Sequence, residues 1–500
     1  MLQEHNQKYF VLQHFSNSEQ ISISNLELQL RCNLFGSKQT DELGQGLRNC
    51  SNLKQLILNL EENQLADKGI LGFCVGLENC LNLVDLSLFL KYNYICDTGI
   101  QYLGKSLGKC QNLKNLMISL SQNNIQDQGL VNFSSEIKNL NNIQSLTLDL
   151  SQNNLCDQGV STLSSVIGNF QNLKNLYLNL FMNHINNKGA NEIGNKLGNS
   201  RCDNGVKNLG TGLGMCCSLN ILQISIQNNK VNQQWISCFC NGLGKNQTIS
   251  TLKLDLRNNA LEFQEDISDF CSGLKNCQNL KVVDFDLRNN KIQTNMASEM
   301  FVGLGRSGSL EKLKINLREN NFGPNEQTQE INLSFPCYQN LRELDIDLFQ
   351  SLDSIQTAKI MSQILGNSNQ LEKISLDLSQ CKINSEVVSC LGENLSNCQN
   401  VVYLNLNLMQ NVIREEGIIA LSEGLGRCKK LNQLIINLEQ NMIDLAASNF
   451  LALELKKCNQ ITNLQLNFRI QQIWPIKYEQ IIMLEHIRKM ARLVTKDILF

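Results

Sequence analysis

The sequence predicts an α/β solenoid, in which strand–helix units stack side by side. One apolar pattern returns every 30 or 31 residues along most of the chain. Within each unit the apolar spacing changes from every second residue, typical of a strand, to the spacing of one helix face. An asparagine also follows nearly every predicted strand at a fixed distance. A unit this short cannot bury its apolar face alone, so neighbouring units must stack.

Each unit begins with the predicted strand. Its pattern is L-x-x-L-x-L-x-L-x-x-N-x-I, as in the run from Leu113 to Ile125. Alternation with a period of two gives the strand one buried face. The units start at Ile23, Leu53, Leu83, Leu113, Ile143, Leu173, Leu219, Ile249, Leu280, Leu310, Leu341, Leu371, Val401, Leu431 and Ile461.

A helix follows each strand. Leu130, Phe133 and Ile137 have the spacing of an apolar helix face. At the predicted helix start an aspartate precedes a glycine by two residues, where its carboxylate can accept hydrogen bonds from free amides of that helix. This aspartate recurs at Asp67, Asp97, Asp127, Asp157 and Asp203. The eleventh-position asparagines are predicted to turn inward and satisfy backbone groups, and Ser351 and Cys381 interrupt their row.

This pattern resembles that of leucine-rich-repeat proteins, specifically the ribonuclease-inhibitor-like type, which Ran GTPase-activating proteins share. The resemblance implies a horseshoe-shaped solenoid over residues 23–468, with about fifteen strand-containing units. It places a parallel β-sheet on the concave face and helices on the convex face. The units carry one more x-L step than the usual family motif, which predicts longer strands.

Both ends of a solenoid need a cover, because the terminal units would otherwise expose their core. Residues 1–22 are therefore predicted to form an N-terminal cap and residues 469–500 a C-terminal capping helix. The amphipathic stretch KYEQIIMLEHIRKMARLV at 477–494 supports the capping helix. A free helix for a partner or a membrane is the less favoured interpretation.

One interval breaks the repeat spacing, since 46 positions separate Leu173 from Leu219. The interval contains the helix halves of two units, predicted at about 190–198 and 205–214, but one strand is missing near position 200. Either the strands from Leu173 and Leu219 pair directly, or the sheet opens there. Direct pairing is favoured, because an open edge in mid-sheet would leave backbone donors and acceptors without partners.

The same interval ends in LGTGLG, whose glycines could suggest a phosphate-binding loop. Gly210, Gly212 and Gly214 instead align with helix-end glycines of other units. Met215 and Cys216 stand where a phosphate loop would have lysine and serine or threonine. We therefore predict that these glycines are structural.

Composition argues against several functions. With 44 basic and 46 acidic residues, the formal net charge is -2, which offers no electrostatic case for nucleic acid or an anionic membrane. The opening MLQEHNQKYF resembles no signal peptide, and no segment is apolar enough for a membrane span. We expect a cytoplasmic protein.

The four histidines show no triad or metal-pair spacing, and signature motifs of kinases and hydrolases are absent. We therefore expect no catalysis and no cofactor.

Nine of the twenty cysteines are explained by position. They recur just before new strands, where a small buried thiol packs well. The pairs Cys216-Cys217 and Cys238-x-Cys240 could suggest zinc, but no second close pair accompanies them, so no metal site is predicted. We predict buried free thiols at Cys50, Cys80, Cys110, Cys398, Cys428 and Cys458.

The exposed strand positions offer a candidate binding surface. Arg257, Arg288 and Arg318 occupy one position in three consecutive units, with Asp255 and Asp286 two residues earlier. They form either a solvated ladder of ion pairs or a charged recognition stripe for a partner protein. Earlier units present apolar and aromatic side chains on the same side of the sheet, which suit anchoring contacts, at Phe89, Met117, Tyr177 and Phe181.

The family resemblance implies a non-catalytic scaffold that binds a partner protein on the concave surface. The alternative is a regulator of a small GTPase, although we match no residue to the catalytic arginine of Ran GTPase-activating proteins. A ribonuclease inhibitor is less favoured, because that family has a tryptophan-rich inner surface. Trp235 and Trp474 are the only tryptophans here, and neither lies on a predicted strand.

Overall fold

A computed structural model describes residues 7–9, 23–186, 210, 212–259, 261, 273–320, 338–351, 355–469 and 495–499. The chain forms two compact units, which we call the first and second modules. The first module comprises Met1–Asn259 and Ser272–Cys277, and the second comprises Ala260–Cys271 and Gln278–Phe500. In both modules each strand pairs in parallel with the next one along the chain.

The first module has nine strands within its described residues. They are β1 (Gln7–Tyr9), β2 (Asn25–Gln29), β3 (Gln55–Asn59), β4 (Asp85–Phe89), β5 (Asn115–Ser119), β6 (Ser145–Asp149), β7 (Asn175–Asn179), β8 (Ile221–Ser225) and β9 (Thr251–Asp255). Its described helices are α1 (Ser37–Arg48), α2 (Ala66–Leu77), α3 (Asp97–Leu107), α4 (Asp127–Ile137), α5 (Asp157–Ile167) and α6 (Gln233–Leu243).

The second module repeats the arrangement. Its described strands are β10 (Val282–Asp286), β11 (Lys312–Asn316), β12 (Glu343–Asp347), β13 (Lys373–Asp377), β14 (Tyr403–Asn407), β15 (Gln433–Asn437), β16 (Asn463–Asn467) and β17 (Thr495–Leu499). Its described helices are α7 (Thr294–Gly305), α8 (Ile355–Gly366), α9 (Ser385–Leu395), α10 (Glu415–Gly426) and α11 (Leu445–Leu455).

The core lies between the sheet and the helices of each module. The strand pairing puts equivalent residues side by side, so that Leu116 is in register with Leu146, and Ile118 with Leu148. These leucines and isoleucines are at most 2% exposed, as are Leu130, Phe133 and Ile137 on the facing helix. The other strand residues point to the opposite face of the sheet, as the period of two requires.

The strands are five residues long, apart from β1, and the additional x-L step follows them. Leu120, which belongs to that step, follows β5 and still donates its backbone N–H to the carbonyl of Asp149 at 2.7 Å. The chain turns two residues later, where Gln122 has a φ of 55°. The additional step therefore continues the inter-strand hydrogen bonds into a turn.

The eleventh-position asparagines form hydrogen bonds with the backbone groups of the turn, as predicted. Asn123 is 6% exposed. Its Oδ1 accepts hydrogen bonds from the backbone of Asn93 at 3.0 Å and Ile95 at 2.9 Å. Its Nδ2 donates to the carbonyls of Leu90 and Leu120. Where Ser351 and Cys381 replace the asparagine, the side chain still donates to the preceding repeat, to Leu317 and Leu348 respectively.

The aspartates at the helix starts accept hydrogen bonds from the neighbouring repeat. Asp97 does not cap its own helix: its Oδ1 accepts the backbone N–H of Gln126, in the next repeat, at 2.7 Å. The carboxylate also explains the glycine of the motif, because a Cβ added to Gly129 would stand 2.4 Å from that Oδ1. The predicted capping of free amides within the same helix is therefore wrong for Asp67, Asp97 and Asp127, whose carboxylates accept from the next repeat instead. Asp203 lies outside the described residues.

Strands β7 and β8 pair directly, which confirms the favoured arrangement across the long interval. Tyr177 is in register with Gln223, and Leu178 with Ile224. Within 187–214 the structure describes only Gly210 and residues 212–214, which are helical. The predicted helix at 190–198 and most of the one at 205–214 lie outside the described residues.

The glycines of LGTGLG lie where helix backbones meet. A Cβ on Gly210 would stand 2.3 Å from the carbonyl oxygen of Phe239, and one on Gly212 would stand 2.4 Å from that of Ser164. Real side chains do not approach backbone this closely, so only glycine fits. The structural interpretation of these glycines is confirmed.

The ends of the chain add strands to the sheets. β1, within the predicted cap at 1–22, pairs with β2, and β17 pairs with β16. We predicted only a capping helix at 469–500, whereas Thr495–Leu499 is a strand. The predicted helix at 477–494 lies outside the described residues.

Candidate functional site

The exposed face of the sheet carries the predicted arginines. In the first module, Arg257 follows β9 and forms a two-pronged ion pair with Asp255, two residues earlier. Its Nε lies 2.8 Å from Asp255 Oδ1 and its Nη2 lies 2.6 Å from Oδ2. The side chain is 30% exposed. The planar guanidinium matches both carboxylate oxygens, which fixes its orientation.

In the second module, Arg288 repeats this geometry with Asp286, at 2.9 Å and 2.7 Å. Arg318 differs, because Asn316 replaces the aspartate. Its guanidinium lies 4.4 Å from the ring centre of Phe349, and its Nε lies 3.4 Å from Asp347 Oδ2 on the next strand. Each guanidinium is thus held by neighbouring side chains.

Other charged side chains extend this face across strands β11 to β13. Glu343 lies between Lys312 at 2.7 Å and Lys373 at 2.9 Å, and Lys314 lies 3.7 Å from Asp345. The hydrogen bonds from the two lysines hold the pKa of Glu343 below its usual value. Opposite charges therefore lie next to each other along these two rows of the sheet.

Asp347 is the exception to this charge balance. Burial raises the pKa of its carboxyl to about 6, and the neighbouring Asp377 and Asp345 contribute to the rise, against the hydrogen bond from the Phe349 backbone and the charge of Arg318. The three aspartates line one open depression of about 310 Å³ together with Ser375, Asn405, Asn407 and Asn437. Negative charge thus accumulates at this place on the sheet.

The predicted apolar residues share one face but not one row. Met117 and Tyr177 occupy the middle position of β5 and β7, with Thr147 between them. Phe89 ends β4, and Phe181 lies beyond β7. Phe89, Tyr177 and Phe181 are half-buried, and Met117 is 37% exposed. The structure therefore separates these side chains instead of gathering them into a single aromatic anchor.

Sequence reasoning missed a groove at the carboxyl ends of strands β4 to β7, which we call the rim groove. It is an open groove with a volume of about 420 Å³, lined by Tyr92, Tyr94, Gln122, Asn123, Asn124, Gln152, Asn153, Asn154, Met182 and His184. No local pattern in the sequence indicated the groove, because it depends on a left-handed turn at the tenth position of each unit, which such residues rarely favour.

The cysteines before the strands are buried free thiols in the described part of the chain. This confirms the prediction for Cys50, Cys80, Cys110, Cys398, Cys428 and Cys458. Burial raises the pKa of Cys50 to about 12, and the same holds for Cys80, Cys110, Cys398 and Cys428. Their proximity to backbone carbonyls, such as Cys110 Sγ at 3.8 Å from Leu77 O, is that of packed core residues.

Two further features of the described residues concern other functions. No group of three or more histidine, cysteine, aspartate or glutamate side chains there is arranged to hold a metal ion. Of the helices described, none combines the length and the apolar character that crossing a bilayer requires.

Neither a protein family nor a curated protein matches the chain. Among solved structures, the chain is similar to the LRR protein LIC12759 of Leptospira interrogans, with 18% identity and a TM-score of 0.46. The similarity covers 98% of this chain and 100% of that one. The fold is that of an α/β leucine-rich-repeat solenoid. The parallel strands, the 30-residue period and the asparagine at nearly every turn define it.

Proposed function

We propose that the protein is a non-catalytic scaffold that binds a partner protein on the exposed face of its sheet. The residues assigned to this contact are those of the two predicted groups: Arg257, Arg288, Arg318, Asp255, Asp286, Phe89, Tyr177 and Phe181. The described helices of 11 or 12 residues support the ribonuclease-inhibitor-like type. The reduced thiols of the core suit a cytoplasmic location.

The observation that carries the proposal is the charged surface of the second module. Its lysines, arginines and carboxylates lie on neighbouring strands, about 5 Å apart, and ion pairs fix their positions. A surface in which charges are held in place can reject partners of the wrong charge pattern, because like charges brought together cost several kcal/mol, on the order of 3. Specific recognition needs this kind of order.

The experiment compares partner capture by the wild-type protein and by a triple variant, Arg257→Gln, Arg288→Gln and Arg318→Gln. Affinity purification with mass spectrometry identifies the proteins captured by each. Because exposed ion pairs stabilise by about 1 kcal/mol or less, the variant should fold normally. We expect it to lose the specific partner. Capture should also weaken as salt rises.

A matched control removes three positive charges from the helix ends, with Lys105→Gln, Lys138→Gln and Lys245→Gln. These lysines are exposed and lie away from the strands. The control should capture the partner as the wild type does. Equal capture by both variants would refute a role for the arginines and direct attention to Phe89, Tyr177 and Phe181. Stimulation of GTP hydrolysis in a panel of purified small GTPases would favour the alternative regulator.

A further inference from the structure

None of the residues that line the rim groove of the first module is among those assigned to the proposed function. Eight of the ten lining residues form two rows of equivalent positions from four successive repeats. The tenth position supplies Tyr92, Gln122, Gln152 and Met182, and the twelfth supplies Tyr94, Asn124, Asn154 and His184. Members of a row follow one another at the strand spacing, about 4.8 Å. The groove thus has a fixed period along its length.

The side chains of the groove select for an uncharged ligand. No aspartate, glutamate, lysine or arginine is among the lining residues. Tyr92 is 49% exposed, Tyr94 is 52% exposed and Met182 is 46% exposed. The two phenol rings lie 5.8 Å apart and are tilted by 47°. Large, rigid, exposed rings of this kind are typical anchors at binding surfaces.

The amide side chains add hydrogen-bond donors. The amides of Asn123 and Asn153 donate to backbone carbonyls of the turn. Gln152 Nε2 lies 3.5 Å from the sulfur of Met182, which is a weak acceptor. Gln122 and Gln152 line the groove in the second and third of its four repeats, so their Nε2 groups are donors that the lining offers to a ligand carbonyl.

We propose that the rim groove binds a proline-rich segment of a partner protein in the polyproline II conformation. That helix has three residues per turn and a rise of 3.1 Å, so that one face repeats about every 9.3 Å. Equivalent positions two repeats apart in the groove are separated by about 9.6 Å, which is twice the strand spacing. Successive turns of the ligand therefore meet equivalent positions, such as Tyr92 and Gln152.

The chemistry of such a ligand fits the same side chains. A polyproline II backbone makes no internal hydrogen bonds, so its carbonyls are free to accept from glutamine and asparagine amides. Proline has no N–H, so the groove needs donors more than acceptors. Pyrrolidine rings pack against exposed aromatic rings in other grooves that recognise proline-rich segments. The groove needs no charge for any of these contacts.

The test measures binding of fluorescein-labelled decaproline to the full-length protein by fluorescence polarisation. We expect saturable binding, and a glycine–serine decapeptide should not bind. Tyr92→Ala should weaken binding about tenfold, as expected for loss of an aromatic anchor. Gln152→Glu keeps the size but removes the N–H donors, and it should weaken binding as well. Circular dichroism and the urea midpoint verify folding, and Tyr94→Ala replaces Tyr92→Ala if that variant does not fold.

Two controls separate this site from other surfaces. Leu81→Ala removes another exposed apolar side chain of the first module, 53% exposed, and should leave the affinity for decaproline unchanged. Arg288→Gln combined with Arg318→Gln should also leave it unchanged, so the rim groove and the proposed function can fail independently. The proposal is overturned if decaproline does not bind, if Tyr92→Ala and Gln152→Glu bind it normally, or if cellohexaose, a neutral sugar chain that also stacks on aromatic rings, binds in its place.

Discussion

The contact between Asp127 and Gly159 links two neighbouring repeats, and a double-mutant cycle can measure it. Asp127 Oδ1 accepts the backbone N–H of Cys156 at 2.8 Å. A Cβ added to Gly159 would stand 2.7 Å from that oxygen and 3.1 Å from Asp127 Cα. The single change Gly159→Ala therefore pushes a methyl group into the carboxylate that holds the next repeat.

The expected magnitudes follow from these distances. Alanine improves helix propensity over glycine by about 1 kcal/mol. Overpacking costs about 1 to 3 kcal/mol, so Gly159→Ala should lower the free energy of unfolding by about 1 kcal/mol. Asp127→Ala loses a hydrogen bond to a charged group and should cost about 1 to 2 kcal/mol. In the Asp127→Ala protein the carboxylate oxygen no longer meets the added methyl group, so Gly159→Ala should become neutral or stabilising there.

Urea unfolding of the wild type, the two single variants and the double variant, followed by far-UV circular dichroism, provides the measurement. The coupling between the two changes should be about 1 to 2 kcal/mol. Gly168→Ala serves as the matched control, because an added Cβ would meet the carbonyl oxygen of Gly212 at 2.6 Å and no aspartate. Its cost should be the same whether or not the Asp127 carboxylate is present. An equal loss of stability from Gly159→Ala in both backgrounds would refute the proposed contact.

Three other predictions concern the core and the sheet. The buried cysteines should not react with a thiol reagent in the native protein and should react after unfolding, whereas exposed Cys217 should react at once; rapid native labelling of Cys110 would contradict this. Because the pKa of Asp347 is raised to about 6, the folded state binds the carboxyl proton more tightly than the unfolded state does. The contribution of this carboxyl to the free energy of unfolding therefore falls as pH rises from about 4 to 6. Asp347→Asn should therefore stabilise the protein at pH 7 by on the order of 2 kcal/mol and leave it unchanged near pH 3, as urea midpoints at the two pH values can verify. Gly212→Ala should lower the urea midpoint, because its Cβ would meet the Ser164 carbonyl at 2.4 Å; an unchanged midpoint would contradict the close helix contact.

The repeat architecture could be predicted from the sequence because local periodicity determines it. The alternation at Leu116, Ile118 and Leu120 assigns the strand, and the register that pairs Leu116 with Leu146 follows from the 30-residue period. Direct pairing of β7 and β8 was also accessible, because the cost of unpaired backbone groups excludes an open sheet. Each of these inferences needed only the pattern and a general physical rule.

Contacts between repeats were harder to predict. The sequence places Asp97 beside the amides of its own helix, but stacking brings the Gln126 amide of the next repeat closer. The turn at the tenth position gave no local signal either. Tyr92, Gln122 and Met182 all adopt a left-handed φ, at 56°, 55° and 50°, although such residues rarely favour it. The rim groove depends on this turn, so neither propensity nor motif indicated it.

The candidate site was predicted only in part. The spacing of two residues between Asp286 and Arg288 indicated an ion pair on one face, and the structure has it. The same spacing did not reveal that Arg318 would lie over Phe349, because that ring comes from the next repeat. Phe89 and Tyr177 were grouped in one row, although the 30-residue register already places them at different strand positions, since Phe89 pairs with Ser119 and Tyr177 with Thr147.

The asparagine and aspartate contacts bear on where the chain can be shortened. Asn123 accepts hydrogen bonds from the repeat before it, whereas Asp97 accepts one from the repeat after it. Truncation after a helix would remove the asparagine that the last remaining turn needs, and truncation before a strand would remove the aspartate that the first remaining helix needs. A stable fragment should therefore begin at an aspartate-bearing helix and end just beyond an eleventh-position asparagine, so that its boundaries do not coincide with those of whole strand–helix repeats.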